Sequence, residues 1–174
     1  IVNWLDNIKK DATHLYLVGD LFDFWHDYKY VVPKGFVSFL AKIKELVESG
    51  IKVTVFTGNH DLWMFGYLED ELGVRLCKEP IEVVHGKSSL YIGHGDGLGP
   101  GDHGYKFIKK VFTNKVCQFL FKWLHPDLGV PLASYLSRSS REGEKDEELK
   151  FLGEEKEWLI IYSKEILAQK HFDF

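Results

Sequence analysis

Two periods organise the apolar positions of this chain. Ile1, Trp4, Leu5 and Ile8 recur at helical spacing, so the chain opens on an amphipathic helix. His14 to Val18 is a short apolar run that reads as a buried strand and ends at Gly19-Asp20. Pro33 and Gly35 precede a second helix, whose one face carries Phe36, Phe39, Leu40, Ile43, Leu46 and Val47, and Ser49-Gly50 closes it. Ile51 to Phe56 is the next β-branched run, and it ends at Thr57-Gly58-Asn59-His60-Asp61. Strand, helix and strand joined by short loops predict a βαβ unit with parallel pairing. Ile81 to Val84 and Ser89 to Ile92 predict a hairpin around Gly86-Lys87, and a glycine-rich loop follows from Gly93 to Asp102.

The pattern then changes character. From Tyr105 to Leu124 it is helical, with Ile108, Val111, Phe112, Val116, Phe119, Leu120, Trp123 and Leu124 as the apolar stripe. Such a stripe reads first as core. Tyr105, Phe107 and Phe121 lie off it, among Lys106, Lys109, Lys110, Lys115 and Lys122, and they point toward an apolar contact of another kind. The lysines by themselves read as a solvated face. Ser137 to Lys150 is charged and reads as a flexible stretch, the acidic run Glu142 to Glu157 as a solvated helix surface, and a last helix runs to about Lys170.

Composition narrows the class. At 174 residues the chain is long enough for one domain with a core, and 45% apolar with 15% aromatic residues excludes disorder. A net charge of −4 gives no general affinity for polyanions, so no nucleic-acid partner is expected. Cys77 and Cys117 match no metal spacing and make no disulfide framework, which fits a reducing cytoplasmic setting. No apolar run approaches the roughly 20 residues of a membrane span.

Polar side chains at three strand ends carry the chemistry. Asp20, then Asn59 with His60, then His94 follow buried strands, and in open α/β sheets ligands gather at the carboxyl ends of strands. A carboxylate, an amide oxygen and an imidazole form a mixed O/N donor set that suits Mn, Fe or Zn better than Ca. Two divalent ions bridged by a carboxylate would hold an attacking hydroxide and the phosphate oxygens together. His60 stands apart from the ligands. Asp23, one turn beyond Asp20, is placed to hydrogen-bond its ring and hold it protonated for donation to a leaving oxygen. The bland readings are a helix N-cap for Asp20 and turn positions for Asn59, His60 and His94. His14, His26, His85, His125 and His171 read as ordinary surface or strand histidines, while His103 lies beside Asp102.

Gly19-Asp20, Gly58-Asn59-His60-Asp61 and His94-Gly95-Asp96, in this order, resemble three of the five motif blocks of calcineurin-like metallophosphoesterases. Gly19-Asp20-Leu21-Phe22-Asp23-Phe24-Trp25 and the loop from His94 through Asp102 to Tyr105 are similar to one family within that group, the UDP-2,3-diacylglucosamine pyrophosphatases of lipid A biosynthesis. The resemblance implies an α/β fold, the metallophosphoesterase αββα sandwich. It implies a single domain over residues 1–174 with a helical lid inserted at 103–145. It implies two divalent ions, with manganese expected, cleavage to UMP and 2,3-diacylglucosamine 1-phosphate, and work at the cytoplasmic face of the inner membrane. By position, Asp20 bridges the metals, Asn59 and His94 bind the second one, and His60 donates a proton or contacts phosphate. Many relatives carry Arg where His60 stands. Asp102 falls near the diphosphate and sugar, and Ser140 and Arg141 near the glucosamine and phosphate. The Asp-x-His block is expected before Ile1 and the Gly-His-x-His block after Phe174, with His171-Phe172-Asp173-Phe174 as the lead-in to the latter. On that expectation the fold is cut short at both ends and this chain alone is close to inactive. The alternatives are another phosphodiesterase or phosphatase of the superfamily, or a metal-poor scaffold of the same fold.

Overall fold

The structure is a computed structural model. It describes residues 1–98, 100, 103–144, 151 and 153–174, the side chains of 105 and 139–144 excepted. The chain divides into two compact units, Ile1–Glu79 and Pro80–Phe174. Parallel and antiparallel sheets both occur, so the α/β class predicted from the sequence holds.

The first unit is the βαβ unit with an added strand. Helix α1 (Val2–Ile8) leads into β1 (His14–Val18), α2 (Val37–Glu48) and β2 (Lys52–Phe56). A π-helical turn, Leu68–Leu72, then delivers β3 (Arg75–Cys77), which the apolar pattern had not marked because it is so short. The sheet order is β1-β2-β3, with β2 parallel to both neighbours. His14 pairs with Lys52 and Val18 with Phe56, so β1 and β2 end together. As the central strand, β2 is buried on both faces from Val53 to Phe56, which is why its sequence runs apolar without alternation. The stripe of α2 packs as expected: Leu40, Ile43 and Leu46 are buried and Phe36, Phe39 and Val47 line the same core. Ser49 and Gly50 close the helix, with the Ser49 amide donating to Glu45 O and its hydroxyl to Leu46 O, and Gly50 at φ 93°. Phe22 and Trp25 from the loop after β1 complete this core, their rings 4.2 Å apart.

The second unit opens on the predicted hairpin, β4 (Ile81–His85) and β5 (Ser88–Ile92), turning at Gly86 with φ 62°. Residues 173 and 174 run along the other edge of β5. The Asp173 amide donates to Ser89 O and the Tyr91 amide to Phe174 O, so the segment read as a strand lead-in does pair with the sheet. The helical pattern read from Tyr105 to Leu124 is carried by two helices, α3 (His103–Thr113) and α4 (Lys115–Lys122). Asn114 breaks it: its backbone is extended, and its side chain accepts from the amides of Val116 and Cys117 as an N-cap. Helix α5 (Pro126–Glu144) extends over most of the stretch read as flexible, with Pro131 inside it. The rest of that stretch, residues 145–150, lies outside the described residues. Residues 154–156 form a turn rather than the helix surface read for the acidic run, and α6 (Trp158–Gln169) is the last helix.

Candidate active site

Because β1 and β2 are parallel and end in register, the loops after them lie side by side. One carries Gly19-Asp20 and the other Gly58-Asn59-His60-Asp61. The chain turns out of β1 through two consecutive left-handed residues, Gly19 at φ 75° and Asp20 at φ 52°. Asp20 is the single non-glycine residue with positive φ among those described, a conformation that costs about 1–2 kcal/mol and marks a constrained site. The neighbouring loop holds it there. The His60 amide donates to Asp20 Oδ1 at 3.0 Å. Gly58 packs directly on Asp20, where a Cβ would come within 2.1 Å of Asp20 Oδ1 and 2.4 Å of Asp20 N. No side chain fits at 58 without displacing Asp20.

Two further carboxylates fasten these loops, and sequence reasoning gave neither of them a role. Asp61 is fully buried, its Oδ1 accepting from the Gly58 amide at 2.6 Å and its Oδ2 from the Leu21 amide at 2.8 Å. Burial pushes its carboxyl up to about 6, with the negative charge of Asp20 adding, against the backbone amides of Gly58, Leu21 and Phe22. Asp27 sits at the far end of the loops. Its Oδ2 accepts from the amides of Phe65, Gly66 and Tyr67 at 2.6, 3.0 and 3.1 Å, and its Oδ1 from Trp25 Nε1 at 2.5 Å. Three consecutive backbone N–H groups around one carboxylate form an anion nest. Asp61 thus ties the turn bearing Asn59 and His60 to the loop after β1, and Asp27 ties that loop again to residues 65–67. Asp61 is visible in the sequence only as the fourth letter of its motif, and Asp27 has no signal.

The remaining predicted residues are distributed as follows. Asp23 is exposed in the loop after β1, and Asn59 and His60 are half-buried in the loop after β2. His26 is not a surface histidine: it is buried, with the rings of Tyr28, Trp63 and Phe65 at 4.4, 5.3 and 5.6 Å. His14 and His85 lie on β1 and β4, His125 and His171 are exposed, and His103 begins α3. His94 is half-buried in the loop after β5, within the second unit. Pro80 fills the space beside Gly93, where a Cβ would come within 2.8 Å of it, and Leu159 lies against Gly95. Lys109 Nζ reaches the same loop, 2.7 Å from Asp96 Oδ2. Asp102 lies outside the described residues, and Ser140 and Arg141 are described only as backbone of α5.

Among the described residues no group of three or more His, Cys, Asp or Glu side chains is gathered as a metal centre requires. What the first unit gathers is one strained carboxylate, Asp20, with the Asn59 amide in the adjoining turn. That donor set fits a part of a divalent-metal site and does not by itself complete one. The stripe read as core on α3 and α4 is exposed: Phe119 is 58% and Trp123 77% accessible, and Phe112 and Leu120 are exposed too. No described helix is long and apolar enough to cross a membrane.

No protein-family model matches the chain. It is 36% identical over 177 residues to a UDP-2,3-diacylglucosamine hydrolase of Porphyromonas gingivalis, a match covering 95% of this chain and 68% of the relative. Hydrolases of the same name from Yersinia pseudotuberculosis and Yersinia pestis are 29% identical over 143 residues, covering 80% of this chain. The chain spans 59% of the length of these Yersinia relatives. The chain belongs to the UDP-2,3-diacylglucosamine hydrolase family.

Proposed function

We propose that this chain is the core of a metal-dependent hydrolase that splits the diphosphate of UDP-2,3-diacylglucosamine into UMP and 2,3-diacylglucosamine 1-phosphate in lipid A biosynthesis. The observation that carries the reading is Asp20, held at positive φ by the His60 amide and by a Gly58 that admits no side chain. Strain of this kind persists where the surroundings over-determine it, as ligand positions require. The names of the relatives supply the substrate.

In this reading the chain is one metallophosphoesterase domain of the αββα sandwich class, with residues 103–145 as a helical lid. Asp20, Asn59 and His94 are metal ligands, and manganese is the expected ion. Bound divalent ions supply charge for the phosphate oxygens and lower the pKa of water. The chain's own residues do the rest. Asp61 and Asp27 hold the Asp20 and Asn59 loops rigid, so that little reorganisation accompanies the reaction. His60 is the proposed proton donor to the leaving phosphate oxygen, with Asp23 as its expected partner. Asp102, Ser140 and Arg141 contact the diphosphate and glucosamine. The exposed aromatic faces of α3 and α4 receive acyl chains, and Lys110, Lys115 and Lys122 beside them meet the anionic cytoplasmic face of the inner membrane.

The test is UMP release from UDP-2,3-diacylglucosamine by the protein expressed from its full coding sequence. Activity should vanish on chelation, return with Mn²⁺ and be abolished in Asp20→Ala. Chelator-resistant turnover, or cleavage confined to other phosphodiesters, would sink the reading.

A further inference from the structure

The loop that carries His94 is rich in glycine. Gly93, Gly95 and Gly97 alternate with His94 and Asp96, and Gly95 and Gly97 sit at φ 96° and 67°. Glycines at such positions lose the most conformational freedom on ordering, so a fixed imidazole there needs anchors outside the loop. Two are apolar: Pro80 against Gly93 and Leu159 against Gly95. A charged one comes from α3. Lys109 Nζ donates to Asp96 Oδ2 at 2.7 Å and to the Asp96 backbone carbonyl at 3.1 Å. The two side chains are only 33% and 14% accessible, so this pair is screened less than a surface salt bridge. Its two-point grip fixes the backbone as well as the side chain, two residues from His94.

We infer that Lys109 is a positioning residue for the His94 loop, coupling α3 to that loop. Any tilt of α3 moves Nζ, Nζ carries Asp96, and Asp96 carries His94. The inference rests on His94 being a ligand in the proposed reaction, while the grip on the loop stands independently of that assignment. It gives α3 a second use besides covering substrate, namely reporting its position to the His94 loop.

The experiment compares Lys109→Met and Lys109→Arg in the protein expressed from its full coding sequence. In Lys109→Met, amides 94–98 should exchange about fivefold faster with the melting temperature close to wild type. With UDP-2,3-diacylglucosamine as substrate, kcat should fall about tenfold while KM holds, because the loss is one of placement. Lys109→Arg should restore both, since guanidinium keeps the two donors. Wild-type exchange of the loop in Lys109→Met overturns the inference outright. A loosened loop with unchanged kcat overturns its catalytic half, and locates the failure in the assignment of His94 rather than in the ion pair. A lowered melting temperature with neither change reduces Lys109 to a structural residue and overturns the inference as well.

Discussion

Helices α2 and α4 are written in the same alphabet, and they end in opposite environments. On α2, Leu40, Ile43 and Leu46 are buried against the three-stranded sheet. On α4, Val116, Phe119 and Leu120 recur at equally good helical spacing, and all three are exposed. Among the described residues the buried cluster falls within the first unit, and of the hydrophobic residues of the second unit only Phe172 is buried. Periodicity therefore tells which side of a helix is apolar, and not whether the chain covers that side itself. Under the proposed function, such a face is where acyl chains are received. The comparison assigns the two units different work: the first holds Asp20 in a strained and fixed place, and the second presents apolar surface.

The two tryptophans that most sharply embody this difference give the largest expected effect. Trp25 is 0% accessible, packed against Phe22, Phe36 and Tyr67, and its indole N–H is spent on Asp27. Trp25→Ala should cost about 3–5 kcal/mol in urea unfolding. Trp123, at 77% accessible, should cost no more than about 0.5 kcal/mol when replaced by Ala. Equal losses would mean that α4 packs on something as firmly as the first core does, and the comparison would break.

Carboxylates in the two units titrate in opposite senses, which sharpens the contrast. Asp61 is raised from 3.8 to about 6 by burial. Below 3.8 both folded and unfolded chains hold its proton, and the contribution is at its most favourable. Between 3.8 and about 6 the unfolded chain ionises first, so stability falls as pH rises, and above that the penalty is constant. Its full size is about 3 kcal/mol. Asp173 is lowered, chiefly by the Ser89 amide. Its contribution is present above 3.8 and lost as pH falls through its folded value. In chelator, the urea midpoint should fall from pH 4 to pH 6 in the wild type and lose that slope in Asp61→Asn. A wild-type profile flat over that interval would show that Asp61 is solvated.

Much of the first unit was legible because its signals are local. The runs at His14–Val18 and Lys52–Phe56, the stripe between them and the Ser49-Gly50 stop each depend on residues a few positions apart. The division at Asn114 was not, since the apolar period continues through a residue whose capping depends on its own backbone angle. At the site, Gly58-Asn59-His60-Asp61 stood out as a motif, and the reason for Gly58 did not. That reason is Asp20, distant in sequence and within 2.1 Å of where a Cβ would lie. Asp27 was invisible for a related cause: its partners are backbone amides, and backbone amides have no letter in a sequence. His26 was misread because nothing near it in sequence announces Trp63 and Phe65.

One glycine in each unit should respond to the same substitution with opposite sign. At Gly58 a methyl group would collide with the Asp20 backbone and carboxylate, so Gly58→Ala should destabilise by about 1–3 kcal/mol. The displacement of Asp20 should lower kcat/KM by about a hundredfold. At Gly104, in the first turn of α3, an added Cβ meets nothing within 4 Å, and φ lies outside the left-handed region. Gly104→Ala should therefore stabilise α3 by about 0.5–1 kcal/mol through reduced freedom of the unfolded chain. The readout is amide exchange in 104–113, slowed by up to about fivefold. If Gly104→Ala instead costs as much as Gly58→Ala, the first turn of α3 is a packed surface like the turn after β2. The second unit would then be a second rigid core, and its exposed aromatics would need a different explanation from ligand contact.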